Sequence, residues 1–153
     1  MSIHLNQLRE KLYGPTFSIV TPFCKKDDTI DFLALEKYLE YAYQCGARNF
    51  YVMGYNSRFS ELSWDEIKKL NKFVTKTVKS LSQNTIVIVA DPLHCSTAVS
   101  MDFCKHAEDI GADIISLIFR ERHYSNEQVA KHYQMCAEAC GIGILIHEMP
   151  FIS

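Results

Sequence analysis

Five short apolar runs recur along the chain at a spacing of roughly 30 residues, and a longer segment with helical periodicity follows each of the first four. The runs are residues 16–20, 49–54, 85–90, 113–119 and 142–147. The segments between them carry apolar positions three and four apart. Phe32, Leu35, Leu39 and Ala42 share one face of residues 30–45, and Ile67, Leu70, Val74 and Val78 share one face of residues 63–81. Strict alternation of this kind predicts (βα)4β order, a parallel sheet and right-handed crossovers. Residues 85–90 are almost wholly apolar, as a strand covered on both faces must be. Residues 1–13 read as a short polar helix or arm, broken by Gly14 and Pro15.

The helix boundaries are written in the loops. Ser63 with Glu66, and Ser125 with Gln128, have the capping-box spacing, while Ser96 or Thr97 can cap the helix that ends at Gly111. Gly46 supplies a C-cap. Two architectures fit this order: an open doubly wound sheet, and part of a (β/α)8 barrel. A full barrel needs about 250 residues, so as a barrel 153 residues could supply, as a single unit, only its first half and a little more. No Gly-x-Gly-x-x-Gly or P-loop follows a strand, so nothing points to a nucleotide.

A formal charge of −2 gives no reason to expect nucleic acid or an acidic membrane as partner. No apolar run approaches the ~20 residues of a membrane span, and residues 1–11 lack the apolar core of a secretion signal. The six cysteines are spread through predicted helices and strands and read as free thiols of a reducing cytoplasm.

The candidate site is the stretch 49–63. A strand ends at Gly54, a polar loop of Tyr55, Asn56, Ser57 and Arg58 follows, and a helix begins at Ser63. Ligands of parallel α/β folds bind at strand C-terminal ends, so this loop is the first place to look. Its backbone N–H groups and side chains suit a carboxylate; the plainer alternative is a polar loop that only caps a helix. His147 ends the fifth run, where an imidazole can move protons or can simply bond a neighbouring carbonyl.

His94, His123 and His147 fall at or past strand ends, with Cys95 beside the first. Without CxxC or HxxxH spacing they do not make a zinc site, and the reading calls for no metal and no cofactor. Cys136 and Cys140 are one helical turn apart and read as core. Lys25 and Lys26, before two aspartates, read as a solvated turn, and Lys68, Lys72, Lys76 and Lys79 as the wet face of their helix.

Three groups of residues point to a family. Ser18-Ile19-Val20-Thr21-Pro22-Phe23 is followed by Asp31, Ala34 and Leu35. Residues 54–63 align without a gap to a loop usually written Gly-Thr-Thr-Gly-Glu-Phe-x-x-Leu-Ser. Gly111-Ala112-Asp113 leads to Tyr124-Ser125-Asn126-Glu127, to His132 and Tyr133, and to a last segment at 145–150. Their order and spacing resemble the dihydrodipicolinate synthase/N-acetylneuraminate lyase family of pyruvate-dependent aldolases. The resemblance implies the barrel rather than the open sheet.

It also implies that Gly54, Tyr55, Asn56 and Ser57 occupy the pyruvate-binding loop and that Arg58 stands for its glutamate. His147 falls on the catalytic tyrosine, and Arg120 lies near the second tyrosine. Tyr55 and His147 would then be the catalytic candidates, with Gly54, Tyr55, Asn56, Ser57 and Arg120 binding a small 2-oxo acid such as pyruvate. The Schiff-base lysine of the family lies on a sixth strand. The sequence stops short of one, so the expectation is a chain inactive as an aldolase by itself. The alternative is a half-barrel that binds or scaffolds without catalysis. A half-barrel would leave strands one and five as edges and expose an apolar inner face, so a homo-oligomer is expected.

Overall fold

The computed structural model describes residues 3–119 and 124–148. Its strands are β1 (Thr16–Ser18), β2 (Asn49–Tyr51), β3 (Ile86–Ala90), β4 (Ile114–Leu117) and β5 (Gly143–Ile146). Its helices are α1 (Ile3–Lys11), α2 (Phe32–Gln44), α3 (Trp64–Leu81), α4 (Thr97–Asp109) and α5 (Asn126–Glu138). The strands pair in the order β1-β2-β3-β4-β5, all parallel. A doubly wound sheet reverses its strand order at a switch point. This sheet never reverses, which is the order of half a barrel.

Register divides the side chains between two faces. Ser18, Tyr51, Ile88, Ile114 and Gly143 form one row across all five strands, and Ala90, Ser116 and Leu145 form the next row on the same face. The alternate residues face the helices: Phe17 packs on Tyr38 of α2 with ring centroids 5.6 Å apart. Beneath the helices lie Leu35 and Leu39, Ile67, Leu70, Val74 and Val78, and Phe103, Cys104 and Cys136, all essentially without solvent contact. All six cysteines are free.

The inner face was expected to be exposed, and it is not. Ile86, Ile88 and Ile114 are only 2–4% exposed. Curvature is the cause: Tyr51 on β2 reaches over β3 to Ser116 on β4 and to His147 just past β5, a chord across the concave side. Leu8 of α1 helps at the strand N-terminal end. It sits so close to Gly143 that an added Cβ there would lie 2.7 Å from its Cδ2.

Helices α2 to α5 start where the capping residues lie. Asp31 accepts from Ala34 N at 2.9 Å, Ser63 and Ser125 form full capping boxes, and Ser96 rather than Thr97 caps α4. α2 ends at Cys45, and Gly46 takes the left-handed conformation that follows it (φ 103°). Lys79 departs from the wet face assigned to it. Its ammonium is 2.7 Å from Asp113 Oδ2 and also donates to Thr85 O, tying α3 to the start of β4. Asp113 in turn accepts from Val87 N. Lys68 likewise pairs with Asp102 of α4 at 2.6 Å. Among the described residues, no helix is long and apolar enough to cross a membrane.

Candidate functional site

Tyr51 is the last residue of β2 and lies on the inner face. Its phenol oxygen is 2.7 Å from Ser116 Oγ and 2.9 Å from His147 Nδ1. His147 is held in register by its own backbone N–H, which donates to Leu117 O at 3.0 Å. Burial pushes the Tyr51 phenol above its ordinary pKa, with the Ser116 hydrogen bond opposing, so the hydroxyl stays protonated. Tyr51, Leu145, Ile146, His147 and Glu148 line a shallow cavity of about 260 Å³ at this end of the strands. Larger hollows exist, one of about 520 Å³ around Leu8 and Gly143 near the strand N-terminal ends and one of about 290 Å³ between α2 and α3 on the outer surface. The smaller cavity lies at the strand C-terminal ends, beside the Tyr51–His147 hydrogen bond.

The loop after β2 packs on the end of β1 and on the loop after β3. An added Cβ on Gly54 would stand 2.8 Å from Leu93 Cδ2 and 3.3 Å from Phe59 Cδ2, so the loop after β3 packs directly on it. Tyr55 is half-buried against the core. Asn56 Nδ2 donates to Ser18 Oγ at 2.9 Å, joining this loop to the end of β1. Ser57 is fully buried, and its hydroxyl has no hydrogen-bond partner among the described residues. The same is true of the Thr21 hydroxyl, just past β1. Buried hydroxyls without a hydrogen bond are costly. Arg58 takes the left-handed conformation (φ 54°), lies 4.5 Å from the centroid of the Phe23 ring and pairs with Glu61.

A third feature escaped the sequence reading. Asp91 follows β3 on the helix-facing side and is almost fully buried. Ser100 Oγ donates to its Oδ2 at 2.7 Å, and the Cys95 thiol lies 3.7 Å from the same oxygen. Desolvation pushes the Asp91 carboxyl up to about 7 and the Cys95 thiol up to about 12. The available signal was an acid placed directly after an all-apolar strand.

The structure thus puts Gly54, Tyr55, Asn56 and Ser57 on the loop beside β1, and His147 across the concave face. Tyr51 and Ser116, which sequence reasoning read only as strand, bond to the imidazole or to each other. Arg120 and His123 lie outside the described residues, as does the end of the last matching segment, residues 149–150. Cys95 turns to Asp91 and His147 to Tyr51, and among the described residues no three His, Cys, Asp or Glu side chains are placed to share a metal ion.

Fold and site together define the N-terminal half of a (β/α)8 barrel with a polar mouth at its strand C-terminal ends. The model of the dihydrodipicolinate synthetase family matches residues 11–153, and the chain belongs to that family. It is 30% identical over 140 residues to an uncharacterised DapA-like lyase of Thermococcus kodakarensis, covering 90% of this chain and 45% of that protein. It is 25% identical over 139 residues to a 4-hydroxy-tetrahydrodipicolinate synthase of Acidiphilium cryptum, covering 90% and 46%.

Among solved structures, dihydrodipicolinate synthase from Bacillus clausii superposes with a TM-score of 0.82 at 21% identity, over 95% of this chain and 48% of that one. The Acinetobacter baumannii enzyme, solved in complex with pyruvate, gives a TM-score of 0.78 at 26% identity, over 90% and 46%. The chain spans about half the length of the relatives it matches.

Proposed function

We propose that residues 1–153 form the ligand-binding half of a lyase of this family, taking a small 2-oxo acid such as pyruvate at the mouth. The carrying observation is the Ser116–Tyr51–His147 chain of hydrogen bonds on the concave face. The backbone of Gly54 and the polar groups of Tyr55, Asn56 and Ser57 hold the carboxylate. His147 and Tyr55 face the reacting carbonyl, and Arg120 is counted with the binding residues for its charge. No cofactor is called for. Six free thiols fit a reducing cytoplasm.

A Schiff base requires an amine at the mouth. The inner rows of this sheet consist of Ser18, Tyr51, Ile88, Ile114 and Gly143, then Ala90, Ser116 and Leu145, with no lysine among them. Lys25 and Lys26 are solvent-exposed in the turn after β1. The chain as given therefore binds the 2-oxo acid without fixing it covalently. This same lack of an amine favours the second reading, a scaffold half-barrel with no ligand.

Equilibrium dialysis with labelled pyruvate, followed by borohydride reduction and mass measurement, tests the proposal. Saturable millimolar binding with no added mass is expected. A lysine adduct would restore an aldolase on this chain, and absence of binding would leave the scaffold.

A further inference from the structure

The hydroxyl chain at the mouth can be wired in two directions. In the first, Ser116 Oγ donates to the Tyr51 oxygen and Tyr51 donates to His147 Nδ1. In the second, a proton on Nδ1 is donated to Tyr51, Tyr51 donates to Ser116, and the Ser116 proton needs a further acceptor. Ser116 is fully buried on β4, and among the described residues Tyr51 is the one hydrogen-bond partner of its hydroxyl. The second wiring therefore strands a buried donor. The first leaves only spare lone pairs, which cost less.

Burial favours the protonated phenol, which keeps Tyr51 able to donate. A neutral imidazole whose Nδ1 accepts carries its proton on Nε2. Ser116 is the one polar residue of β4, Ile114-Ile115-Ser116-Leu117.

We infer that Tyr51 is a positioning residue that fixes His147 as an Nε2–H hydrogen-bond donor at the mouth. His147 then stabilises the carbonyl oxygen of the bound acid and does not begin as a base. The acceptor rests on the 2-oxo acid reading above; the orientation of the imidazole does not.

Nitrogen-15 NMR of histidine-labelled protein decides the wiring. His147→Gln identifies the His147 signals among the six histidines. The expected spectrum of the neutral ring has an unprotonated, acceptor-type Nδ1, a protonated Nε2, and a slowly exchanging hydroxyl proton close to the ring. Tyr51→Phe removes that hydroxyl signal and weakens pyruvate binding by roughly tenfold. A protonated Nδ1 in the unsubstituted protein overturns the inference, as does unchanged pyruvate affinity in a folded Tyr51→Phe variant. Should pyruvate fail to bind while Nδ1 proves unprotonated, the ligand reading falls and the wiring stands. Should pyruvate bind while Nδ1 proves protonated, the wiring falls and the ligand reading stands.

Discussion

Ser100, in the first turns of α4, donates its hydroxyl to the buried carboxyl of Asp91 across 2.7 Å, fastening the end of β3 to the helix that follows it. Burial raises the Asp91 carboxyl from 3.8 to about 7. Between those values the folded chain holds a proton that the unfolded chain has released. Stability is therefore fully present below about pH 4 and is lost as pH rises toward 7. The Cys95 thiol beside Asp91 is itself pushed upward by burial and stays neutral over that range.

Urea unfolding at pH 5 and pH 8 should show Asp91 costing about 3 kcal/mol across the interval. His106 and His132, lowered by desolvation, act in the opposite direction near pH 6. The difference between wild type and Asp91→Asn isolates the carboxyl. Equal pH slopes in the two proteins would show that Asp91 is ionised in the folded state.

Asp113 should matter more than its partner Lys79. The carboxylate receives both the Lys79 ammonium and Val87 N–H, while Lys79 retains Thr85 O when Asp113 is gone. Asp113→Ala strands the Val87 N–H and leaves the Lys79 ammonium with Thr85 O alone, and should cost about 2 kcal/mol. Lys79→Met keeps the stem packing and should cost less. The reverse order in denaturant melts would place the tie elsewhere.

Gly54 and Leu93 should behave as a coupled pair. Gly54→Ala forces the Leu93 side chain aside and should cost about 1 kcal/mol. Leu93→Ala alone should cost about 2 kcal/mol. The double variant should cost clearly less than the sum, because the shortened side chain makes room for the new methyl group. Additivity would mean that the two loops do not press on each other.

Self-association should follow from the edges. β1 and β5 each have one pairing side open. Exposed apolar side chains gather beside them: Leu12, Tyr13 and Val20 flank β1, and Ile146 lies on β5. Light scattering at micromolar concentration should report a dimer or larger. A persistent monomer of 17.6 kDa would show the edges to be protected.

Much of the fold was legible because several signals agreed. Capping serines stood before helices whose apolar stripes point inward, and β3 is apolar along its whole length, as burial on both faces requires. The site was less legible, because a single residue name does not say what faces it. Tyr51 reads as one more aromatic in a strand until curvature carries its hydroxyl over β3 to Ser116 and His147. Lys79 reads as solvent-facing until the start of β4 brings Asp113 beneath it. The buried inner face was misread for the same reason: the closure comes from sheet curvature and from Leu8, neither of which has a local signature.

Residue-resolved NMR titration with pyruvate tests the central claim most directly, since the mouth competes with a larger hollow at the other end of the strands. The account predicts saturable shifts at Ser57, Tyr51 and His147, with Leu8 and Gly143 unmoved. Shifts centred on Leu8 and Gly143, or none at all, would contradict it.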